Sequence, residues 1–255
     1  MVPLGRTGLH ISPLSLGTVK FGRDQGVKYP QPVQIPDDDT ANALLRVAAS
    51  LGINCLDTAP AYGSSEERLG ALLAGQREQW VLCTKVGEEF ENGQSRYDFS
   101  PEHTRFSVER SLTRLRTDIL DIVLIHSDGQ DTEILQRHGT LETLQTLKKE
   151  GKIRAVGLSH KSVSGGQLAV HQGADVIMAT LNTTHTTELG LIAAASEAGC
   201  GVLIKKALLS GHGRPEDLAF VAEQPGVTSI VVGTTNTAHL KQNAYALMNA
   251  SESRL

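Results

Sequence analysis

Asp57 and Tyr62 are five positions apart in the stretch Leu56-Asp57-Thr58-Ala59-Pro60-Ala61-Tyr62-Gly63, a carboxylate and a phenol joined by a segment that cannot continue a strand. The apolar run Ile53-Asn54-Cys55-Leu56 leads into it, and helix-like residues Ser65-Glu66-Glu67-Arg68-Leu69 follow. Proline interrupts a regular ladder and glycine permits a tight turn, so both groups belong at a strand's carboxyl end. Three further apolar runs finish in polar residues in the same way. Lys85 ends Val81 to Thr84, His126 ends Asp121 to Ile125, and Ser159-His160 ends Ile153 to Leu158. If the strands close into a barrel, these ends share one rim, where barrel enzymes carry out their chemistry.

The elements that must hold them are legible along the chain. Met1 to Ser15 has the form of a hairpin turning at Gly5-Arg6-Thr7-Gly8, and Leu14-Ser15-Leu16-Gly17 gives a first core strand. Thr18 to Pro36 is a loop rich in Gly and Pro, and Asp37-Asp38-Asp39-Thr40 caps a helix to about Ser50. Strand-like runs then recur at 53–56, 80–85, 119–125, 153–158, 176–179, 202–205 and 229–232. Their near-continuous aliphatic character means burial on both faces, as parallel strands under helices require. Helical periodicity fills the gaps at Glu102 to Arg116, Thr140 to Glu150 and Thr187 to Ala198; in the first of these Phe106, Val108, Leu112 and Leu115 are expected on one side. Eight strand–helix repeats in 255 residues favour a single (β/α)8 TIM barrel over an open sheet, with the hairpin before it and one domain over 1–255.

Composition narrows the function. A formal net charge of −4 with scattered Lys and Arg gives no basis for nucleic-acid or membrane binding. Three cysteines, Cys55, Cys83 and Cys200, lie in apolar runs without paired spacing, as in a reducing compartment. No signal peptide is visible, no apolar run reaches the roughly 18 residues of a spanning helix, and a cytoplasmic protein without a metal site is expected.

The motifs, in order, resemble those of the aldo-keto reductase superfamily. They are Leu4-Gly5-Arg6-Thr7-Gly8 with Leu16-Gly17-Thr18, Asp57-Thr58-Ala59 with Tyr62-Gly63, Thr84-Lys85, Ile125-His126, Gly151 to Ser159, and Gly233-Thr234 with Asn243. The resemblance implies a catalytic tetrad of Asp57, Tyr62, Lys85 and His126 that reduces aldehydes or ketones with hydride from a nicotinamide. Tyr62 would give its proton to the forming alkoxide, and the Lys85 ammonium is expected to lower its pKa from about 10. Asp57 would keep that ammonium charged, and His126 would donate a hydrogen bond to the substrate oxygen.

The implied cofactor contacts begin with Gly17, Thr18 and Asp57, and continue with Ser159 and with His160 in the place of the family's asparagine. Lys205, Leu208 and Ser210 stand in the next part of the series. Gly233, Thr234, His239, Gln242 and Asn243 complete it around a buried strand, a glycine and a helix start suited to phosphate. Here the chain departs from the family. Met178 stands where glutamine is expected, and Lys205-Lys206-Ala207-Leu208 replaces a stretch that supplies a stacking aromatic. Glycine and histidine at Gly233 and His239 replace basic partners of a 2′-phosphate, so NADPH is expected with NADH as the alternative. Substrate contacts are expected from 18–36, with Phe21 and Tyr29, and from 88–100, with Phe90, Tyr97 and Phe99; anchoring of these loops to the barrel is an equal reading of the same aromatics. Two other readings are a nucleotide sensor with little turnover and an aldolase forming a Schiff base on Lys85 or Lys205.

Overall fold

The computed structural model describes residues 1–27 and 29–252, so Lys28, within the 18–36 loop, lies outside the described residues. The chain opens with the expected hairpin, in which β1 (Val2–Pro3) pairs antiparallel with β2 (His10–Ile11). Three strands of a parallel sheet follow, β3 (Leu14–Gly17), β4 (Cys55–Asp57) and β5 (Val81–Val86). A second antiparallel hairpin, β6 (Glu88–Glu91) and β7 (Gln94–Tyr97), stands outside that sheet. The sheet continues with β8 (Leu120–His126), β9 (Ile153–Ser159), β10 (Val176–Thr180), β11 (Gly201–Lys205) and β12 (Ser229–Gly233). β12 pairs with β3, and the eight parallel strands close into a barrel.

Helices cover its outside in chain order: α1 (Asp38–Ser50), α2 (Ser65–Leu72), α3 (Pro101–Leu115), α4 (Asp131–Arg137) and α5 (Thr140–Lys149). The series ends with α6 (Val163–His171), α7 (Leu189–Glu197), α8 (Asp217–Ala222) and α9 (Thr237–Glu252). Asp37 caps α1 by accepting from the Thr40 amide at 2.8 Å, as its position before the helix requires.

Two details differ from the sequence expectation. Phe106 is 56% exposed, because α3 turns Thr104, Ser107, Val108, Ser111 and Leu115 inward instead. A step of two residues on a helix rotates by about 200°, so Phe106 and Val108 cannot share a face. The segment 88–100 is likewise more ordered than a loop. Asn92-Gly93, both at positive φ, forms the tight turn that a two-residue hairpin prefers.

The barrel interior sets the site. Side chains alternate along each strand, and Cys55, Cys83, Ile122, Leu124, Ala155, Val176, Met178 and Leu203 pack into one inner cluster. Leu4, Leu9 and Ile11 join that cluster from the first hairpin, which closes the floor of the barrel. Two residues further along their strands, on the same inward parity, come Asp57, Lys85, His126 and Lys205, and Ser159 ends β9 on the parity of Ala155. An apolar layer therefore lies directly beneath a layer of ionisable and polar groups.

Candidate active site

Asp57 and Lys85 form the centre. Lys85 Nζ donates to Asp57 Oδ1 at 2.6 Å and to the Thr58 carbonyl at 2.8 Å, and the lysine is 1% exposed. Burial works against the ammonium, but the Asp57 carboxylate outweighs it and raises the Lys85 pKa above the ordinary lysine value. Lys85 is therefore a fixed cation.

Tyr62 reaches this pair through a short 3-10 turn, Pro60–Tyr62, that ends at Gly63. Gly63 has φ +59°, and a Cβ there would stand 2.0 Å from the Gly22 carbonyl. Only glycine allows the two backbones to cross so closely. Arg23 adds a hydrogen bond from Nη1 to the Ala61 carbonyl at 3.1 Å. The Lys85 amine then lies 4.8 Å from the centre of the Tyr62 ring, and the His126 ring meets Tyr62 edge-on at 6.1 Å between centroids. The expected lowering of the phenol's pKa is not found. Burial raises it, and the nearby Lys85 charge offsets only part of that rise, leaving Tyr62 protonated.

His126 ends β8, 2.8 Å from Glu88 Oε2 through Nδ1, at an angle outside a regular hydrogen bond. Burial lowers its pKa, while Glu88 pulls the other way. Burial would raise the Glu88 carboxyl, yet His126, the Ser95 hydroxyl and Arg23 together bring it down to about 2. Ser95 Oγ donates to Glu88 Oε1 at 2.6 Å and Arg23 stands 3.5 Å away. Glu88 was not singled out as a site residue from the sequence. Its position three residues beyond Lys85, at the start of an Asn-Gly hairpin, is the signal that could have found it.

Three cavities open along the rim. One of about 260 Å³ is lined by Asp57, Tyr62, Lys85, His126, Ser159, Met178 and Lys205, with Gly17 and Gly233 at its edge. A second, of about 350 Å³, adjoins it between Tyr62, Glu88, His126, Leu208 and Ser210. The third, of about 530 Å³, lies over the start of α9 and contains Leu208, Gly233, Thr234, His239, Gln242 and Asn243. Tyr29 and Gly233 line all three. Gly17 and Gly233 are paired across β3 and β12, so bare backbone separates the first cavity from the third. At the start of α9, Asn236 Oδ1 already accepts from the Ala238 amide at 2.8 Å and the His239 amide at 3.3 Å.

Two expected contacts do not face these cavities. The His160 ring is fully buried on the opposite parity from Ser159, and its Nε2 meets Glu188 Oε2 at 2.7 Å. Thr18 is also enclosed, its hydroxyl bonded to the Asp57 carbonyl at 2.9 Å and to Ser65 at 2.9 Å, where it braces the end of β4. Lys205 takes up the space beside Ser159 instead. Its Nζ lies 3.0 Å from Ser159 Oγ and 2.6 Å from the His160 carbonyl.

The aromatic residues expected at the substrate mostly anchor loops. Phe21 and Phe99 are buried, Phe90 lies under the Arg23 guanidinium at 3.4 Å, and Tyr97 stacks on Phe99 at 6.0 Å. Tyr29 alone among them lines the cavities, with the Lys20 amine 4.0 Å over its ring. Cys55, Cys83 and Cys200 are free and buried, and burial pushes the Cys55 and Cys200 thiols up to about 12. Among the described residues, no cluster of His, Cys, Asp and Glu is arranged to hold a metal ion, and no helix is long and apolar enough to cross a membrane.

Known proteins share this fold. A crystal structure of a Pseudomonas aeruginosa protein described as a candidate aldo-keto reductase superposes with a TM-score of 0.91 at 51% identity, covering 98% of this chain and 95% of that one. An aldo-keto reductase of Bacillus halodurans in its holo form is similar in fold, with a TM-score of 0.82 at 24% identity over 96% of this chain and 90% of its own. By sequence, L-galactose dehydrogenase of Arabidopsis thaliana is 37% identical over 163 residues, which are 61% of this chain and 47% of that protein. The NADH-specific methylglyoxal reductase of Escherichia coli is 35% identical over 172 residues, 62% of this chain and 51% of that protein. The chain thus spans about half the length of these curated relatives. The family model described as Aldo/keto reductase family matches residues 13–214, from the start of β3 past the end of β11, and by that match the chain belongs to the aldo/keto reductase family.

Proposed function

We propose that this protein reduces aldehyde or ketone groups of a small molecule to alcohols, with a nicotinamide dinucleotide as hydride source and Tyr62 as proton donor. The observation that carries the proposal is the buried Lys85–Asp57 pair set against the Tyr62 ring, with His126 edge-on to the same ring. The residues present fit a dinucleotide. With no side chain at Gly17 or Gly233, an extended ligand can lie over the backbone between two cavities of about 260 and 530 Å³, and Ser159, Gln242 and Asn243 supply polar contacts on either side. When bound, the cofactor supplies the hydride that the side chains cannot. NADPH is the form proposed, ahead of NADH, although His239 brings less positive charge than arginine would.

The protein's own part is proton supply and orientation. Tyr62 is kept protonated by burial, which suits it to give a proton to an alkoxide as charge builds there. The adjacent Lys85 ammonium stabilises the phenolate that remains, and Asp57 holds that ammonium in place. Glu88 beside Nδ1 favours the ring's Nδ1–H form, so a hydrogen bond from Nε2 to the substrate oxygen requires the imidazolium. The negative Glu88 favours that cation and burial opposes it. We further propose that residues 1–255 act as one barrel domain in the cytoplasm.

Fluorescence quenching by NADPH and NADH, followed by their consumption with a nitrobenzaldehyde, tests the proposal. Tyr62→Phe removes the proton donor alone and is expected to lower turnover by roughly 10²- to 10⁴-fold while cofactor affinity is kept. Unchanged turnover would remove Tyr62 from the mechanism. Binding without turnover over a broad carbonyl panel would favour a sensor. A borohydride-trapped adduct would favour the aldolase, at Lys205 and not at Lys85, whose amine is held as an ammonium.

A further inference from the structure

Lys205 presents a charge that the proton-transfer scheme does not use. It ends β11 with its side chain toward the cavity shared by Tyr62, Lys85 and His126. Both hydrogen-bond acceptors at its amine, Ser159 Oγ and the His160 carbonyl, are uncharged. The carboxylates that act on it from a distance are engaged elsewhere. Glu188 accepts from His160 Nε2 at 2.7 Å and from the Thr180 amide at 3.1 Å. Asp131 accepts from the Ser162 hydroxyl at 2.5 Å and from the amides of Lys161 and Ser162 at 3.1 and 2.7 Å. Lys85, by contrast, has Asp57 against it.

A proton from Tyr62 and a hydride must reach the two ends of one carbonyl bond, so the hydride-donating ring has to share the Tyr62 cavity. Beyond the tetrad, that cavity is walled in part by Ser159, Met178 and Lys205. A dihydronicotinamide ring is uncharged, whereas the oxidised ring carries a full positive charge.

We propose that Lys205 makes this cavity selective for the reduced cofactor, its ammonium repelling the cationic ring of the oxidised form; this rests on the function proposed above. Two of the three ammonium N–H groups meet Ser159 and His160, which leaves one for the ring's carboxamide oxygen. Selectivity of this kind speeds release of the spent cofactor at the expense of the bound hydride step, in which positive charge develops on the ring, and leaves the overall equilibrium unchanged. It also depends on pH. Burial, and then Lys206 and Lys85, lower the amine while Glu188 and Asp131 raise it, with the balance near 7. Lys161 and Lys206 also line the cavity. The charge is present below that pH and shed above it.

Dissociation constants of NADPH, NADP⁺, NADH and NAD⁺ are measured calorimetrically on the full chain at pH 6 and pH 8.5, for the unaltered protein, Lys205→Met and Lys205→Arg. The oxidised-to-reduced ratio of dissociation constants is expected to be roughly 100-fold higher at pH 6 in the unaltered protein than in Lys205→Met, the order expected for two unit charges about 6 Å apart at an effective dielectric constant of about 20. It falls by pH 8.5 in the unaltered protein and holds in Lys205→Arg, whose guanidinium does not titrate there. The ratio cancels any effect of the 2′-phosphate, which both forms carry. A ratio indifferent to pH in the unaltered protein and equal in the variants, with binding intact, overturns this inference alone. If neither dinucleotide pair binds, the proposed function falls with it.

Discussion

Replacing Asp57 by Asn removes the counter-charge of an ammonium that has almost no contact with solvent. At the 2.6 Å separation of Lys85 Nζ and Asp57 Oδ1, an effective dielectric constant of about 20 gives a gross attraction of about 6 kcal/mol. Most of that is offset by desolvation of the two ions, so the pair's net value is smaller. The variant nevertheless keeps the cost of burying Lys85 without the compensation, and a loss of about 3–5 kcal/mol is expected. Urea denaturation at pH 7 reads it directly, provided the transition remains two-state. The double variant Asp57→Asn with Lys85→Met buries no charge and is expected to recover part of the loss. The pH dependence has a defined sign. The Lys85 pKa is higher folded than unfolded, so the stability contributed by its protonation is full below the unfolded lysine value of about 10.4 and fades as pH rises beyond it. A loss below about 1 kcal/mol at pH 7, or a double variant no more stable than Asp57→Asn, would refute a charged, solvent-free pair.

Glu88→Gln is expected to lower the His126 pKa further, since it removes the charge that favours the imidazolium; an unchanged histidine titration by NMR would mean that Glu88 does not act on the ring. The Glu88 carboxylate, depressed to about 2, also contributes stability above the usual glutamate value of about 4.3 that is lost as pH falls toward 2, so the variant's stability deficit should shrink on acidification. Gly63→Ala meets both a positive φ and the Gly22 carbonyl, and should cost about 3 kcal/mol or more while disturbing Tyr62; an equally stable and active variant would show that the backbone crossing is not needed. His239→Arg, in the cavity over α9, should strengthen NADPH relative to NADH by about 1–3 kcal/mol, measured by titration of both. No change would put the 2′-phosphate elsewhere.

The eight barrel strands were legible because each is a short aliphatic run, and their observed bounds lie within two residues of the sequence reading. Strand parity made the centre of the site legible as well. Cys55 to Asp57, Cys83 to Lys85 and Leu124 to His126 each step from the apolar layer to the rim on one side of the sheet. The same parity turns His160 away from the cavity, against the sequence reading, and keeps Lys205, already among the expected contacts, facing it. What the sequence could not provide were balances between opposing terms. Burial against the Lys85 charge at Tyr62, and burial against Glu88 at His126, depend on distances that no spacing encodes. The hairpin at 88–97 was hidden because its outer face is charged and lacks apolar alternation, although Asn92-Gly93 marked its turn.

The first hairpin gives the barrel a stoppered base. With Leu4, Leu9 and Ile11 sealed into the lower layer, nothing can thread through the middle of the molecule. Whatever binds, and the water it displaces, must use one mouth. The Tyr29 segment and the β6–β7 arm stand at that mouth, so traffic in both directions passes the same two gateposts.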